Sequence, residues 1–261
     1  MPALSDFDVK CVRADNASAF TLGGTNTWIL GRDPAWVIDP GPALDAHLEA
    51  VALAVFDRGG AGGIAVTHRH SDHVEGLIAL RDKLGCPPVA AFRNPADAVL
   101  GDGDEFGPLR AHLVPGHAAD HLVYVAGPVC FTGDAVLGDG SVFVAPGHGG
   151  LGAYLDGLRR LNELPLAVLC PGHGPEVWDP HGRLESYIEH RLDRERKLVG
   201  AIDDGLTRVD DLLDAAWDDV PGHLRPAAAV TLGAHLEKLR EEVRLPPDVQ
   251  EPPLPPWAAE V

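Results

Sequence analysis

Thr67-His68-Arg69-His70-Ser71-Asp72-His73 decides how this chain reads. Three imidazoles and a carboxylate fall within six residues, directly after the apolar run 64–66 and before a helical pattern over 74–84. Val74, Leu77, Ile78 and Leu84 share one face of that helix. A strand end is rigid, so the loop after it aims His68 and His70 to one side and turns Asp72 and His73 toward a neighbouring point. Neutral imidazole nitrogens and carboxylate oxygens are ligands that zinc accepts at about 2.0–2.2 Å. One tetrahedral ion cannot use all four groups and leave room for substrate and water. Two adjacent ions can.

Working outward, three more ligand candidates follow apolar runs and lie in glycine turns: His117 after Val114-Pro115-Gly116, Asp134 after Phe131-Thr132-Gly133, and His173 after Cys170-Pro171-Gly172. Short strands are expected at 28–30, 36–38, 89–92, 111–114, 122–125, 129–131, 142–144 and 166–169. Helices are expected at 44–56 and 151–161. Runs of strands mixed with crossover helices give α/β or α+β layering. From 183 the texture changes to three helices, over 184–204, 208–219 and 226–242. The proline-rich stretch 246–261 then reads as extended and flexible.

The composition agrees. Of 261 residues, 45% are apolar and 23% charged, which is globular rather than disordered or fibrous. The length suits a large domain with a small appendage. Gly 30 and Pro 23 imply many turns and argue against a long helical bundle. A net charge of −18 repels polyanions at long range and is a poor basis for strong nonspecific nucleic-acid binding. The four cysteines, Cys11, Cys86, Cys130 and Cys170, are scattered and read as reduced thiols of a cytoplasmic protein. Residues 1–15 have no apolar core, so no signal peptide is expected. No run reaches the roughly 18 apolar residues of a membrane span.

His68-x-His70-x-Asp72-His73, followed by His117, Asp134 and His173, resembles the ligand signature of the metallo-β-lactamase superfamily. The resemblance implies a four-layer αββα sandwich over 1–182, with two zinc ions at one rim of its sheets. His68, His70 and His117 would hold the first ion. Asp72, His73 and His173 would hold the second, and Asp134 would bridge them. The nucleophile would be a hydroxide shared by the two ions, with Asp134 or Asp72 taking up the proton. No Gly-x-Ser-x-Gly elbow is present, and no Ser or Cys nucleophile is needed. Thr25-Asn26-Thr27-Trp28, Pro115-Gly116-His117-Ala118-Ala119-Asp120-His121 and the helical C-terminal part are similar to the β-lactamase-like endoribonuclease subgroup. That closer likeness implies a small winged-helix-like domain over 183–245, ahead of the proline-rich tail over 246–261. Asp39 resembles the superfamily's aspartate that orients a ligand imidazole, with a turn residue as the competing reading. Ala135 stands where near relatives often carry histidine.

Zinc pairs serve thioesters, lactones, β-lactams and phosphodiesters alike, so the ligands do not choose the substrate. The subgroup favours single-stranded RNA, and the charge opposes it. Arg191, Arg194, Arg196 and Lys197 alternate with Glu189, Asp193 and Glu195, which reads as a salt-bridged helix face rather than an anion site. The expectation is a metal-dependent hydrolase acting on a small-molecule acyl ester, thioester or lactone, with no membrane partner. The alternatives are a single-stranded RNA endonuclease or phosphodiesterase, and a non-catalytic metal-binding protein. His148 in Pro146-Gly147-His148-Gly149 mimics the string around His173 but precedes the helix at 151–161, so it is placed on a loop over the cleft. His112 and His121 are read as surface histidines or as supports of a ligand.

Overall fold

Alternation along the early strands divides their side chains between two cores. In the computed structural model, which describes residues 2–93, 96–147 and 150–255, Trp28, Leu30 and Ile38 face one apolar cluster. Ile29 and Val37 face another. The strands and helices that build this pattern are β1 (Val9–Arg13), β2 (Asn26–Leu30), β3 (Ala35–Ile38), α1 (Asp45–Phe56) and β4 (Ala61–Ala65). Then come α2 (Ser71–Val74), α3 (Leu77–Lys83), β5 (Val89–Ala91) and β6 (Ala98–Val99). The six strands form one sheet in the order β1-β2-β3-β4-β5-β6. It is antiparallel up to β3 and parallel from β3 onward. The change of sense follows from the connections: parallel neighbours need crossovers, which α1 and the α2–α3 pair provide.

A second sheet has the order β11-β10-β9-β8-β7, from β7 (Glu105–Phe106), β8 (Leu109–Leu113), β9 (Leu122–Ala126), β10 (Val129–Gly133) and β11 (Val168–Pro171). Only β10 and β11 pair in parallel. The two sheets meet where Trp28, Ile38, Ala65 and Ala90 of the first pack on Leu109, Leu122, Tyr124 and Phe131 of the second. On the far face of the first sheet, Leu48, Val51 and Val55 of α1 and Leu80 of α3 cover Ile29, Val37 and Ile64. Each such buried side chain contributes about 1.5–3 kcal/mol.

These elements make up the first of two compact units, Met1–Val114, Asp120–Gly140 and Leu164–Pro180. The second unit is Pro115–Ala119, Ser141–Glu163 and His181–Val261. It carries α4 (Gly150–Asn162), α5 (Pro180–Asp203), α6 (Val209–Ala216) and α7 (Arg225–Glu241). Leu198 and Ile202 of α5, Leu212 and Leu213 of α6, and Leu232, Leu236 and Leu239 of α7 pack into its own cluster. Their spacing of three and four residues puts them on single helix faces.

The first unit therefore has a helix–sheet–sheet layering. The helix expected at 151–161 forms as α4, and it belongs to the second unit, as do residues 115–119. The expected strand over 142–144 does not form: those residues are irregular. The single helix expected over 74–84 is two, because Gly76 N–H turns to Gly41 O (2.9 Å) instead of continuing the helix from α2. Strands β1, β6 and β7 went unforeseen. The proline-rich stretch is pinned at its start, since Val249 enters the helical cluster and Gln250 N–H bonds Thr207 O at 2.8 Å. No helix among the described residues is long and apolar enough to cross a membrane.

Candidate metal centre

Open α/β sheets expose their loops at the carboxyl ends of parallel strands, and ligands bind there. Here β3, β4, β10 and β11 run into Asp39, Thr67-His68, Asp134 and His173 respectively. β2 is antiparallel to β3, so its first residue, Asn26, and Thr25 just before it arrive at the same end.

Asp39 is the organiser. It adopts a left-handed φ of 54°, a strained backbone that aspartate tolerates better than most residues. Its Oδ1 accepts the Thr67 N–H, and its Oδ2 accepts both the Thr67 hydroxyl and His73 Nδ1–H, each at 2.8 Å. Because the Thr67 hydroxyl donates to Asp39, its oxygen accepts from His68 Nδ1 at 2.9 Å. His173 Nδ1 faces Gly24 O at 3.5 Å. In three imidazoles the Nδ1 proton thus points outward and Nε2 inward. Asp39 is therefore the imidazole-orienting group, not merely a turn residue.

The later ligand candidates are held by backbone. Asn26 Nδ2 donates to Pro171 O (3.0 Å) and Gly174 O (2.9 Å), bracketing His173, and Trp28 Nε1 donates to Pro171 O at 2.9 Å. A Cβ on Gly172 would stand 2.4 Å from Asp134 Oδ1 and 2.7 Å from His73 Cε1, so only glycine admits this approach. Asp134 N–H donates to His121 Nε2 at 3.0 Å, which makes the fully buried His121 a support of Asp134. Thr25 Oγ1 receives Asn16 Nδ2 at 2.9 Å and therefore gives its own proton to Asp72 Oδ2, 3.0 Å away.

The inward atoms converge. His73 Nε2 lies 3.4 Å from His173 Nε2, 3.4 Å from Asp72 Oδ2 and 3.5 Å from Asp134 Oδ1. His173 Nε2 lies 3.3 Å from Asp72 Oδ2 and 3.2 Å from Asp134 Oδ2. His68 Nε2 and His70 Nδ1 are 2.9 Å apart. Burial works against charge here, yet His73 and His173 hold Asp134 well below the usual carboxylate range. Burial likewise opposes the Asp72 carboxylate, but the His173 hydrogen bond and the charge of His73 bring it to about 2. Asp134 and Asp39 overcome the burial of His73 and raise its affinity for a proton, while burial and the neighbouring imidazoles keep His68 neutral. Lone pairs crowded this closely demand positive charge between them. Within the first unit, His68, His70 and Asp134 form one set of donor atoms, and Asp72, His73 and His173 another. The atoms of each set lie within 4.8 Å of one another. Two divalent ions fit that donor chemistry.

His117 belongs to the second unit. It is buried, with Nδ1 3.4 Å from Phe143 O and its ring 5.0 Å from the Phe143 ring. His112 is half-buried on β8. His148 lies outside the described residues. The basic cluster on α5 is mixed. Arg196 and Lys197 are surface residues paired with Asp193. Arg191 and Arg194 are buried, and Arg194 donates to Ala216 O and to Asp219, both at 2.6 Å. Sequence reasoning assigned no role to Asn16, Thr25, Asn26 or Thr67. The Thr25-Asn26-Thr27-Trp28 string was conspicuous, but nothing in it says which strand end it reaches.

A superfamily-wide model of the metallo-β-lactamase superfamily matches residues 92–173, and one of the β-lactamase associated winged helix domain matches 209–244. The β-lactamase-like protein 2 homolog of Drosophila melanogaster is 31% identical, over 94% of this chain and 92% of that one. The chain belongs to the metallo-β-lactamase superfamily. As a member it is a metal-dependent hydrolase with the superfamily's α/β fold. An atrochrysone carboxyl ACP thioesterase of Aspergillus chevalieri is 32% identical over 73% of this chain and 64% of that protein. Among solved structures, a metallo-β-lactamase family protein from Thermus thermophilus superposes with a TM-score of 0.70 at 23% identity, covering 90% of this chain and 94% of that one. That likeness concerns the fold.

Proposed function

We propose that this protein hydrolyses an acyl thioester or a chemically related ester or lactone with two divalent ions, zinc by donor type. His68, His70 and His117 would hold one ion and Asp72, His73 and His173 the other, with Asp134 serving both. The observation that carries the reading is the outward commitment of three Nδ1 protons, which turns the Nε2 atoms of His73 and His173 toward Asp72 and Asp134 and that of His68 toward His70 Nδ1. His117 enters by its place in the superfamily's ligand order, and its Nδ1 lies 3.4 Å from Phe143 O. When bound, such a pair of ions supplies Lewis acidity and brings the pKa of water down to about 7. Asp134 stays in place because His121 fixes its backbone. Asp72 moves the proton: its side chain is 25% exposed against 9% for Asp134, and Thr25 occupies only one of its oxygens.

The charge of −18 and the similarity to a protein named as an acyl-carrier thioesterase support the acyl class over a polyanion. The test is a parallel assay of acyl-thioesters, lactones, bis(p-nitrophenyl) phosphate and single-stranded RNA, with and without a chelator. We expect chelator-sensitive turnover of thioester or lactone. In the same assay Asp134→Asn should lose more than about 100-fold in kcat/KM. Faster cleavage of RNA than of any acyl substrate would reject the substrate class. Fewer than two metal equivalents in metal-replete protein would reject the dinuclear centre.

A further inference from the structure

His117 sits on a five-residue segment, Pro115–Ala119, that is neither helix nor strand. Backbone without a ladder takes its position from tertiary contacts. Two such contacts flank His117. Residues 142–145 supply Phe143 O to its Nδ1 (3.4 Å), and Ala145 N–H bonds Gly116 O (3.2 Å). On the other side Gly116, at φ 139°, lies so near Tyr154 of α4 that a Cβ there would stand 2.8 Å from Tyr154 Cβ.

Both supports lead to Arg191 on α5. Its Nη2 donates to Val142 O and, at 3.1 Å, to Ser141 Oγ, and its guanidinium lies 6.0 Å from the Tyr154 ring centroid. Arg191 is 2% exposed. Burying a guanidinium is costly unless its donors are used, and here Nη2 serves Ser141 and Val142, while Phe143 and Ala145 of the same irregular segment pack with Val230 of α7. The residue before the ligand's carbonyl partner is the one it grips.

We propose that Arg191 is a positioning residue for His117: α5 sets the height and tautomer of one metal ligand through Val142, Phe143 and Tyr154. This gives the C-terminal helices a role in the metal centre, and it rests on the reading of His117 as a ligand. The consequence is selective. Disturbing Arg191 weakens the ion that His117 holds and spares the one held by Asp72, His73 and His173.

The experiment is a stepwise Co(II) titration of the full-length metal-free protein, followed by absorption and calorimetry, for wild type, Arg191→Met and Arg191→Lys. Circular dichroism melts check the fold. Wild type is expected to show two binding steps. In Arg191→Met one step should weaken by about 10–100-fold, as for loss of an outer support of a ligand, with the other within twofold of wild type. Arg191→Lys keeps a charge and a single donor nitrogen in place of the guanidinium fork and should lose less than about tenfold, but more than twofold, at the same step. Unchanged affinities in either folded variant, or equal weakening of both steps, overturn the positioning role. Should the methionine variant not fold, the lysine variant alone decides. Failure of wild type to take up two ions would instead bring down the dinuclear reading.

Discussion

A single carboxylate sets the tautomer of two imidazoles. Asp39 Oδ2 takes the His73 Nδ1 proton directly and fixes His68 through the Thr67 hydroxyl. Asp39→Asn keeps the size and removes the charge and one acceptor. Metal affinity is expected to fall about 10–100-fold, read by competition with a chromophoric chelator, while the melting profile of the metal-free protein stays cooperative. The histidines themselves were legible because their spacing is local and their residue type is chemically committed. Thr25 and Arg191 were not legible as supports, and His121 was legible only as one of two readings. Threonine, histidine and arginine occur in every kind of surface, and their partners lie 47, 13 and 50 positions away in the chain.

At the scale of elements, α1 and α3 matter as covers of the first sheet, whose strand ends carry Asp39 and His68. Leu48 is 1% exposed and packs among Val51, Ile64 and Leu80. Leu48→Ala should cost about 2–5 kcal/mol in denaturant unfolding of the first unit. Most elements could be expected from apolar periodicity and turn residues. The strand expected over 142–144 failed because apolar residues there answer to other demands: Phe143 packs by His117, and Val142 O serves Arg191. Strands β6 and β7 are two residues each, too short to leave a period.

In the helical unit, buried ionic contacts give an acid limit. His235, 3.9 Å away, and the Lys238 ammonium at 2.8 Å hold the Glu195 carboxyl down at about 2, from an ordinary 4.5. A depressed carboxylate stabilises the fold above its unfolded pKa and loses that contribution as pH falls through the folded value. The melting temperature of this unit, followed by helical circular dichroism, should therefore drop between about pH 4.5 and 2, and Glu195→Gln should flatten that drop.

For the whole molecule, the net charge of −18 opposes the approach of anionic substrates. Raising ionic strength from about 0.01 M to 0.15 M shortens the screening length from roughly 30 to 8 Å. For an anionic acyl-coenzyme A thioester, kcat/KM should rise roughly two- to tenfold over that range, while a neutral ester should be indifferent. Stopped-flow or initial-rate measurements at several salt concentrations distinguish the two.

What this sequence determined alone was a set of candidate metal-ligating groups, their order, and the alternation of strands and helices that brings them to strand ends. Those depend on residue chemistry and on spacings of a few positions. Which imidazole nitrogen faces inward was decided only by the tertiary structure, because Asp39 reaches His73 across 34 positions and Gly24 reaches His173 across 149. The place of His117 was decided in the same way, since an irregular segment has no hydrogen-bond ladder of its own and takes its position from whatever packs around it.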